Sequence, residues 1–270
     1  MKTGKANDPE DMRQDQLVVQ LFDLCDRLFK KVNLDLCLTP YKIVPLSRND
    51  GLMEFLDGAV TVTECMNKYN KSSKSIQNFL RDENPGHPHE KYGIDPVVLD
   101  TFIRSSAGYC VMTYILAIGD RHLENLMVKP TGHLLHIDFG FIFGQNPFDK
   151  KLFGTPMRLT TEMVEAMGGQ GSEDYTKFIS HCCQAYRILR KNATLLCNML
   201  ELMGEAGIQD LSLAQNPLNV IHKVRERLCM DKVDENEAEK WLLSKLDESA
   251  GGGKMLDIAH NISIWRQGGL

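Results

Sequence analysis

Side chains that could carry out phosphoryl transfer are concentrated in one segment of this chain, residues 119–140 (GDRHLENLMVKPTGHLLHIDFG). Asp120, His122, Asn125 and Asp138 lie within nineteen residues of sequence. Carboxylate and amide oxygens suit Mg²⁺, and an imidazole can accept a proton near neutral pH. Phosphoryl transfer needs metal ligands and a group that orients the attacking hydroxyl. The segment therefore predicts a phosphotransferase site.

The same segment predicts how these groups are positioned. Two short apolar runs, residues 126–128 and 134–137, are separated by a ProThrGly turn at 130–132. This pattern is typical of a tight β-hairpin with polar residues at both ends. We expect Asp120, His122, Asn125 and Asp138 to converge at one end of that hairpin.

The preceding sequence predicts the elements that hold the hairpin. Apolar residues at helical spacing from Leu17 to Phe29 indicate a buried helix. Residues 38–46 and 51–56 are predicted to be two extended runs joined by a turn at 47–50. A long helix from Asp95 to about Ile118, apolar nearly all round, is expected to be central and to lead directly into the polar segment.

Beyond residue 170 the chain is predicted to be helical. Apolar residues recur at helical spacing over residues 175–189, and a second helix is expected over about 193–205, where glycines end it. Further helices are expected to start near Pro217 and at Asp234. We expect these helices to provide packing rather than chemistry.

Composition excludes several classes of function. The 270 residues can form one large or two small domains, and their net charge of −5 gives no global field that would attract nucleic acid. The eight cysteines are scattered apart from the adjacent Cys182 and Cys183, which favours reduced core thiols in a cytosolic protein. We recognise no signal peptide, and the apolar residues 111–118 are too few to span a bilayer.

Two motifs in the polar segment resemble those of a kinase superfamily. AspPheGly at 138–140 matches the metal-binding motif of kinases, and AspArgHis at 120–122 reverses the HisArgAsp of protein kinases. This inversion, with Asn125 three residues after the histidine, resembles the phosphatidylinositol 3-/4-kinase superfamily. That superfamily includes large protein kinases of the same descent.

Five further segments resemble the catalytic domain of class III phosphatidylinositol 3-kinases, the Vps34 type. They are residues 13–17 (RQDQL), 38–42 (LTPYK), 75–79 (SIQNF), 107–116 (AGYCVMTYIL) and 162–169 (EMVEAMGG). The similarity extends over about residues 11–248. It implies an α+β, protein-kinase-like fold, with residues 1–56 a remnant of the N-lobe and hinge. Residues 57–270 would be a mostly helical C-lobe with the catalytic loop, the activation loop and the C-terminal helices.

The start of the chain departs from the family pattern. In the resembled kinases the N-lobe supplies a loop over the phosphates and a lysine that contacts them. Lys2 matches that lysine only weakly and is not expected to sit in a well-anchored strand. We therefore interpret the chain as an N-terminally truncated catalytic domain, from a larger enzyme or an incomplete gene model, with weak or no activity by itself.

The resemblance implies a nucleotide site for ATP. The backbone of residues 54–56 is expected to bind the purine edge, with Asp15 at the back of the pocket. The full set of predicted nucleotide contacts is Tyr41, Glu54, Phe55, Leu56, Met127 and Ile137. From residue type alone, ordinary core packing is the alternative role for Tyr41, Met127 and Ile137.

The resemblance also implies roles for the catalytic loop. Asn125 and Asp138 are expected to bind Mg²⁺ (or Mn²⁺). His122 is expected to accept the proton of the attacking hydroxyl or to stabilise the transferring group, and Asp120 is the alternative base. Arg121 is expected to brace the loop by pairing with a carboxylate.

The loop after AspPheGly, residues 141–161, is the predicted substrate contact. Lys150, Lys151 and Arg158 are expected to bind the inositol headgroup, and a solvated basic turn is the alternative for each. Class I enzymes carry a longer basic run in this loop, which binds additional headgroup phosphates. By resemblance, the smaller number of cations here favours unphosphorylated phosphatidylinositol as the substrate. Glu124 replaces the aspartate usual in the class III motif, and we expect the extra methylene to be tolerated.

The resemblance therefore implies a lipid kinase that phosphorylates the 3-hydroxyl of phosphatidylinositol. It implies a cytoplasmic protein, peripheral on endosomal and autophagic membranes, with a Vps15-like regulatory subunit and Beclin-like adaptors. The alternatives are a protein kinase of the related class or an inactive scaffold fragment. In the last stretch, Met255, Ile258, Ile262 and Trp265 share one helical face, which is expected to contact either the membrane or the C-lobe.

Overall fold

The computed structural model describes residues 2–3, 11–85, 92–145, 157–208, 210–211, 217–232 and 234–250. Its strands are β1 (Lys2–Thr3), β2 (Ile43–Pro45), β3 (Asp50–Met53), β4 (Val60–Thr61), β5 (Leu126–Val128) and β6 (Leu134–His136). Its helices are α1 (Met12–Lys30), α2 (Val62–Lys68), α3 (Ser75–Asp82), α4 (Pro96–Ile115), α5 (Thr161–Ala166), α6 (Glu173–Lys191), α7 (Ala193–Leu202), α8 (Pro217–Arg227) and α9 (Glu235–Ala250). The described part of the chain is therefore mostly helical, with two small sheets.

The first long helix, α1, packs against β2 and against α6. Asp11 caps its start, because the Asp11 carboxylate accepts a hydrogen bond from the backbone N–H of Arg13 (3.1 Å). Val18, Phe22 and Phe29 belong to its buried apolar face, as the periodicity predicted. These contacts join α1 both to the first sheet and to a helix of the C-terminal part of the chain.

The first sheet has the antiparallel order β1-β3-β2. Lys2 pairs with Gly51 and Thr3 with Asp50, so the residue that was not expected to sit in a well-anchored strand lies in a strand of two residues. Backbone pairing with β3 is sufficient to place two residues in the sheet. The run predicted over 38–46 forms a ladder only at β2, and just before it the N–H of Lys42 donates to the side chain of Glu54 (2.8 Å) and not to a backbone carbonyl.

The central helix α4 is buried nearly all round, as predicted. Asp95 caps its start by accepting from the N–H of Val97 (2.7 Å), and Pro96 occupies the first helical position. Every residue from 105 to 115 is buried. The helix ends at Ile115 rather than near residue 118, because Ala117 has a left-handed backbone (φ 48°) that turns the chain toward the polar segment.

Strands β5 and β6 confirm the predicted hairpin, and β4 extends it into the second sheet. Residues 126–128 pair antiparallel with residues 134–136 in register. The turn needs Gly132, whose φ is 88°. A Cβ atom at this position would lie 2.1 Å from the carbonyl oxygen of Val98 in α4. Close approach to α4 therefore fixes both the turn and the strands that follow it.

The hairpin rests on the side of α4. The N–H of Leu134 donates to the hydroxyl of Ser105 (2.9 Å). The ring of His136 stacks on that of Tyr109, with centroids 5.3 Å apart. These contacts attach the strand that precedes Asp138 to the most buried helix of the protein.

The C-terminal helices begin where the sequence predicts, at Pro217 for α8 and one residue after Asp234 for α9. The single helix expected over 193–205 is divided into α7 and a 3₁₀ turn at Gly204–Ala206. Glycine disfavours the helix interior, which explains the interruption. None of the helices in the described ranges is long and apolar enough to cross a bilayer.

Helix α9 contacts two regions near the polar segment. Trp241 donates its indole N–H to the hydroxyl of Tyr114 at the end of α4 (3.1 Å), and Ser249 donates to the carbonyl of Met157 (2.6 Å). The predicted apolar face at 255–265 lies outside the described residues.

We expect Gly132→Ala to destabilise the protein by more than about 2 kcal/mol, because a side chain would combine an unfavourable φ with a clash against the Val98 carbonyl. Urea unfolding followed by circular dichroism measures the change. Gly171→Ala is the matched control, since no atom lies within 4 Å of its built Cβ. That variant should stay within about 1 kcal/mol of wild type. Equal effects of the two substitutions would contradict the role of Gly132.

Candidate active site

The hairpin places Asn125 and Asp138 beside each other, at the end opposite the turn. The N–H of Ile137 donates to the backbone carbonyl of Asn125 (3.1 Å), which continues the β5–β6 pairing beyond the strands. The Asn125 side chain is buried, whereas Asp138 is half-buried. The two predicted metal ligands therefore lie together, one on each arm of the hairpin.

A second set of backbone bonds attaches the chain after the hairpin to the end of α4. Gly119 donates to the carbonyl of Phe141 (2.9 Å), and Phe143 donates to the carbonyl of Leu116 (2.9 Å). Residues 116–119 and 141–144 therefore run side by side. This pairing brings Asp120 to the same end of the hairpin as Asp138.

The backbone of the site is strained at two of its carboxylates. Asp120 and Asp138 both have left-handed conformations, with φ of 54° and 61°. This region is uncommon for residues other than glycine and costs about 1 kcal/mol or more. Such conformations persist only where the surrounding structure imposes them, and they cluster at functional sites.

The guanidinium of Arg121 is buried between these segments, with 8% of the residue exposed. Its Nε donates to the carbonyl of Gly119 (2.9 Å), and its Nη1 donates to the carbonyl of Ile137 (2.7 Å). Its Nη2 donates to the carbonyl of Asp138. Arg121 therefore does brace the loop. It does so through backbone carbonyls, not through the carboxylate pairing that the sequence predicted.

The surroundings of Arg121 combine burial with nearby negative charge. Burial lowers the pKa of Arg121 to about 10, and the carboxylates of Asp138 and Asp120 oppose that shift. The guanidinium also lies 5.3 Å from the ring centroid of Phe139. The positive charge of Arg121 is thus held close to both carboxylates of the site.

The ring of His122 lies near the side chains of Asp120 and Asn125. Its Nε2 is 3.9 Å from Oδ2 of Asp120 and 3.3 Å from Nδ2 of Asn125, and its Nδ1 is 3.3 Å from the N–H of Glu124. A neutral imidazole has one unprotonated nitrogen, so only one of the two 3.3 Å contacts is a hydrogen bond at a time. Both neighbours are donors, so a hydrogen bond from either one requires an unprotonated ring nitrogen as its acceptor.

The oxygen donors at the end of the hairpin fit Mg²⁺ or Mn²⁺. Nδ2 of Asn125 donates to the backbone carbonyl of Asp120 (2.8 Å), so its Oδ1 is the atom left for a cation. Asp138 supplies a carboxylate. In the described ranges, no three His, Cys, Asp or Glu side chains are grouped to hold a metal. Mg²⁺ bound together with nucleotide phosphates needs only one or two protein ligands, so this small donor set is adequate.

The predicted hinge, residues 54–56, directly follows β3. The N–H of Glu54 donates to the carbonyl of Lys42 (2.9 Å), and the Glu54 carboxylate accepts from the N–H of Lys42 (2.8 Å). No hydrogen bond within the described part of the chain occupies the Glu54 carbonyl or the Leu56 N–H. The side chain of Phe55 is 87% exposed. A donor and an acceptor of the hinge backbone are therefore available for a purine edge.

Two of the predicted pocket residues differ in burial from their neighbours. Met127 and Ile137 are only partly buried, whereas the adjacent Leu126 and Leu135 are fully buried. Both side chains also pack against the hydrophobic core, so their partial exposure is compatible with the pocket floor and with core packing. Their contact with the nucleotide remains a prediction.

The burial of Tyr41 is compatible with both of its predicted roles, a contact at the back of the nucleotide pocket and ordinary core packing. It is buried, and its hydroxyl has no hydrogen-bond partner among the described residues. Burial raises the pKa of Tyr41, and the negative charge of Asp15 adds to the shift. Tyr41 therefore remains a neutral phenol beside the catalytic segment.

Arg158 does not lie on the surface as a free cation. It is half-buried, burial lowers the pKa of Arg158, and the charge of Glu162 opposes the shift. Its backbone carbonyl accepts from the thiol of Cys110 in α4 (3.1 Å). The other predicted headgroup contacts, Lys150 and Lys151, lie outside the described residues.

Comparison with known proteins gives the family of the chain. Residues 7–213 match the family model described as phosphatidylinositol 3- and 4-kinase. The chain is 46% identical over 226 residues to phosphatidylinositol 3-kinase VPS34 of Arabidopsis thaliana, covering 84% of this chain and 26% of that protein. This chain belongs to the phosphatidylinositol 3- and 4-kinase family. Membership confirms both the resemblance and the kinase-like fold that the sequence predicted.

Two fungal relatives support the same placement. The chain is 41% identical over 260 residues to phosphatidylinositol 3-kinase VPS34 of Saccharomyces cerevisiae, covering 95% of this chain and 28% of that protein. It is 40% identical over 258 residues to phosphatidylinositol 3-kinase pik3 of Schizosaccharomyces pombe, covering 94% of this chain and 31% of that protein. The chain thus spans less than a third of the length of these curated relatives.

Sequence reasoning missed part of the support for this kinase-family site. Gln14 donates to the carbonyls of Phe139 and Gly140 (3.0 Å each), and Asp15, expected at the back of the pocket, accepts from the N–H of Phe139 (2.7 Å). Asp210 accepts from the N–H of Ile142 (2.7 Å). The polar residues 13–15 at the start of an otherwise apolar helix were the signal that could have revealed the α1 contacts.

His136 is a second feature that the sequence did not resolve. The residue is completely buried, and neither ring nitrogen has a hydrogen-bond partner in the part of the chain that the structure describes. Burial lowers the pKa of His136 well below its usual value, and the charges of Arg121 and Arg158 add to the shift. The ring is therefore neutral in the folded protein.

We expect Arg121→Met to lower the free energy of unfolding by roughly 3 kcal/mol, because buried carbonyls lose their donors. Urea unfolding measures the loss. Arg27→Met is the matched control: Arg27 forms an exposed pair with Asp23, so its removal should cost at most about 0.5 kcal/mol. Similar losses in both variants would show that Arg121 is not a buried brace.

We expect stability to fall as the pH decreases below the ordinary histidine pKa of about 6.5, since the unfolded chain then binds a proton that buried His136 excludes. The contribution of His136 is at most about 1.4 kcal/mol per pH unit. Urea unfolding at neutral and mildly acidic pH should show a smaller decrease for His136→Phe, which keeps a ring against Tyr109. Burial also lowers the pKa values of His133 and His181. Both residues are present in wild type and in the variant, so their contribution to the pH dependence cancels in the comparison. An unchanged pH dependence would contradict this assignment.

Proposed function

We propose that this chain transfers the γ-phosphate of ATP to the 3-hydroxyl of phosphatidylinositol, giving phosphatidylinositol 3-phosphate. The observation that carries the proposal is the meeting of Asp120, His122, Asn125 and Asp138 at one end of a single hairpin. The lipid substrate and the 3-position are supported by the names of the relatives, which are phosphatidylinositol 3-kinases.

His122 would accept the proton of the attacking hydroxyl on its unprotonated ring nitrogen. The imidazolium formed in this way would be stabilised by the carboxylate of Asp120, whose Oδ2 lies 3.9 Å from Nε2. Asn125, which contacts the ring and the Asp120 carbonyl, would restrict the position of His122. Asp120 remains the alternative base, since it is half exposed beside the same ring.

Asn125 and Asp138 would hold Mg²⁺ or Mn²⁺, which neutralises charge on the phosphates when bound. Arg121 would keep the Asp138 peptide in place through its backbone bonds. For the nucleotide, the Glu54 carbonyl and the Leu56 N–H would pair with the purine edge. Lys150, Lys151 and Arg158 would bind the lipid phosphodiester, for which cationic side chains are suited.

The cellular setting forms part of the same proposal. We infer a cytoplasmic protein that acts at the surface of endosomal and autophagic membranes, with a Vps15-like regulatory subunit and Beclin-like adaptors. The support is the similarity of the chain to phosphatidylinositol 3-kinases of plants and fungi, including VPS34 of Saccharomyces cerevisiae.

We expect Asp138→Asn to reduce phosphate transfer by about 100-fold or more, because the substitution removes the negative charge of the one carboxylate among the two proposed metal ligands. Transfer of radiolabelled γ-phosphate from ATP to phosphatidylinositol vesicles measures the rate, and chromatography identifies the product isomer. Glu124→Asp is the matched control, since Glu124 is exposed between the catalytic residues. Its rate should remain within about threefold of wild type.

Three outcomes would overturn the proposed function. They are measurable transfer that is equal in wild type and Asp138→Asn, phosphate on a position other than 3, or preferential labelling of a peptide in competition with the lipid. Calorimetry with Mg²⁺ and ATP tests the scaffold alternative, because a chain that does not bind nucleotide would release no heat.

A further inference from the structure

Gln14, in the first turn of α1, reaches across the fold to the AspPheGly segment. Its Nε2 lies 3.0 Å from the carbonyl oxygens of Phe139 and Gly140, and 3.1 Å from Oδ2 of Asp210. Its Oε1 accepts from the backbone N–H of Asp210 (3.2 Å). The side chain is buried, so water does not compete for these bonds.

Two buried carboxylates complete the arrangement. Oδ1 of Asp15 accepts from the N–H of Phe139 (2.7 Å), and Oδ2 of Asp210 accepts from the N–H of Ile142 (2.7 Å). Asp15 is 3% exposed and Asp210 is 2% exposed. A distance of 2.7 Å is at the short end of the range for N–H···O hydrogen bonds. Side chains of α1 therefore bind both backbone groups of Phe139: Asp15 binds its N–H and Gln14 binds its carbonyl.

We propose that Gln14, Asp15 and Asp210 form a clamp that fixes the orientation of Asp138 for metal binding. Gln14 and Asp210 would touch neither substrate nor metal, so they are positioning residues, whereas Asp15 would combine this contact with its predicted place at the back of the nucleotide pocket. The inference rests on the proposed function only in its assumption that Asp138 binds the metal. It assigns a role to residues from two distant parts of the sequence, the start of α1 and the segment that precedes α8.

The clamp is required because Asp138 is strained. Its φ of 61° can relax only by rotation about the N–Cα bond of Asp138, and that rotation would redirect the carboxylate and displace the peptide that joins Asp138 to Phe139. Asp15 holds the N–H of this peptide, and Arg121 holds its carbonyl. Gln14 and Asp210 hold the peptides that follow. Partners of metal ligands commonly change metal affinity by about 10- to 100-fold.

Amide hydrogen exchange tests whether the clamp holds the backbone. In Gln14→Met, which keeps the length of the side chain and removes its polar atoms, the amides of residues 139–142 should exchange about tenfold faster or more. Gln16→Met is the matched control, because Gln16 lies on the same helix and donates instead to the carbonyl of Ile43 (3.3 Å). Its exchange over 139–142 should equal that of wild type. Equal exchange in Gln14→Met and wild type would overturn the clamp.

Metal affinity tests whether the clamp positions Asp138. Titration of the 270-residue chain with Mn²⁺, followed by electron paramagnetic resonance with a non-hydrolysable ATP analogue, should show about tenfold weaker binding for Gln14→Met and no change for Gln16→Met. Faster exchange without weaker binding would overturn the positioning role and leave the residues purely structural.

Further variants and outcomes separate the clamp from the proposed function. Asp210→Ser, which shortens the acceptor for Ile142, replaces Gln14→Met in both measurements if the latter does not fold. If wild type fails to bind Mn²⁺, the metal site of the proposed function is wrong. The exchange measurement still decides whether the clamp exists.

Discussion

The structure of this site depends on one buried guanidinium. Arg121 donates hydrogen bonds to the carbonyls of Gly119, Ile137 and Asp138, and so joins the end of the central helix to both sides of the aspartate that we propose as a metal ligand. Burying a charge is costly unless the charge is hydrogen-bonded, and here its donors point at backbone oxygens that themselves need partners. The guanidinium and the carbonyl oxygens each need a hydrogen-bond partner when buried, and each supplies the other's. For this reason a polar group can hold together an otherwise apolar part of the fold.

The buried polar groups around Arg121 act on backbone, whereas the groups proposed to do the chemistry are more exposed. Gln14, Asp15 and Asp210 are buried, and the bonds described here connect them to peptide groups of residues 139–142. By contrast, His122 and Asp120 are about half exposed. A rigid inner layer thus supports reactive groups that substrates can reach, which is the arrangement that preorganised catalysis requires.

The contrast between buried supporting groups and exposed reactive groups also explains where the backbone is strained. Left-handed conformations occur at Asp120 and Asp138, and each lies next to a segment fixed by several hydrogen bonds. The apolar contacts of the hairpin with α4 hold these segments, because Gly132 and His136 pack closely on that helix. Stability gained in the core therefore offsets strain at the surface of the site. Family membership places this arrangement in a kinase-like fold.

The sequence by itself determined the hairpin, the central helix α4 and the grouping of Asp120, His122, Asn125 and Asp138, because periodicity and short spacings encode contacts between near neighbours. It also indicated the family through local motifs. Tertiary structure alone decided that Arg121 bonds carbonyls, that α4 stops before Ala117, and that Gln14 meets Asp210, 196 positions away. Such contacts depend on how α1 packs across the fold, and no local pattern records the packing of distant segments.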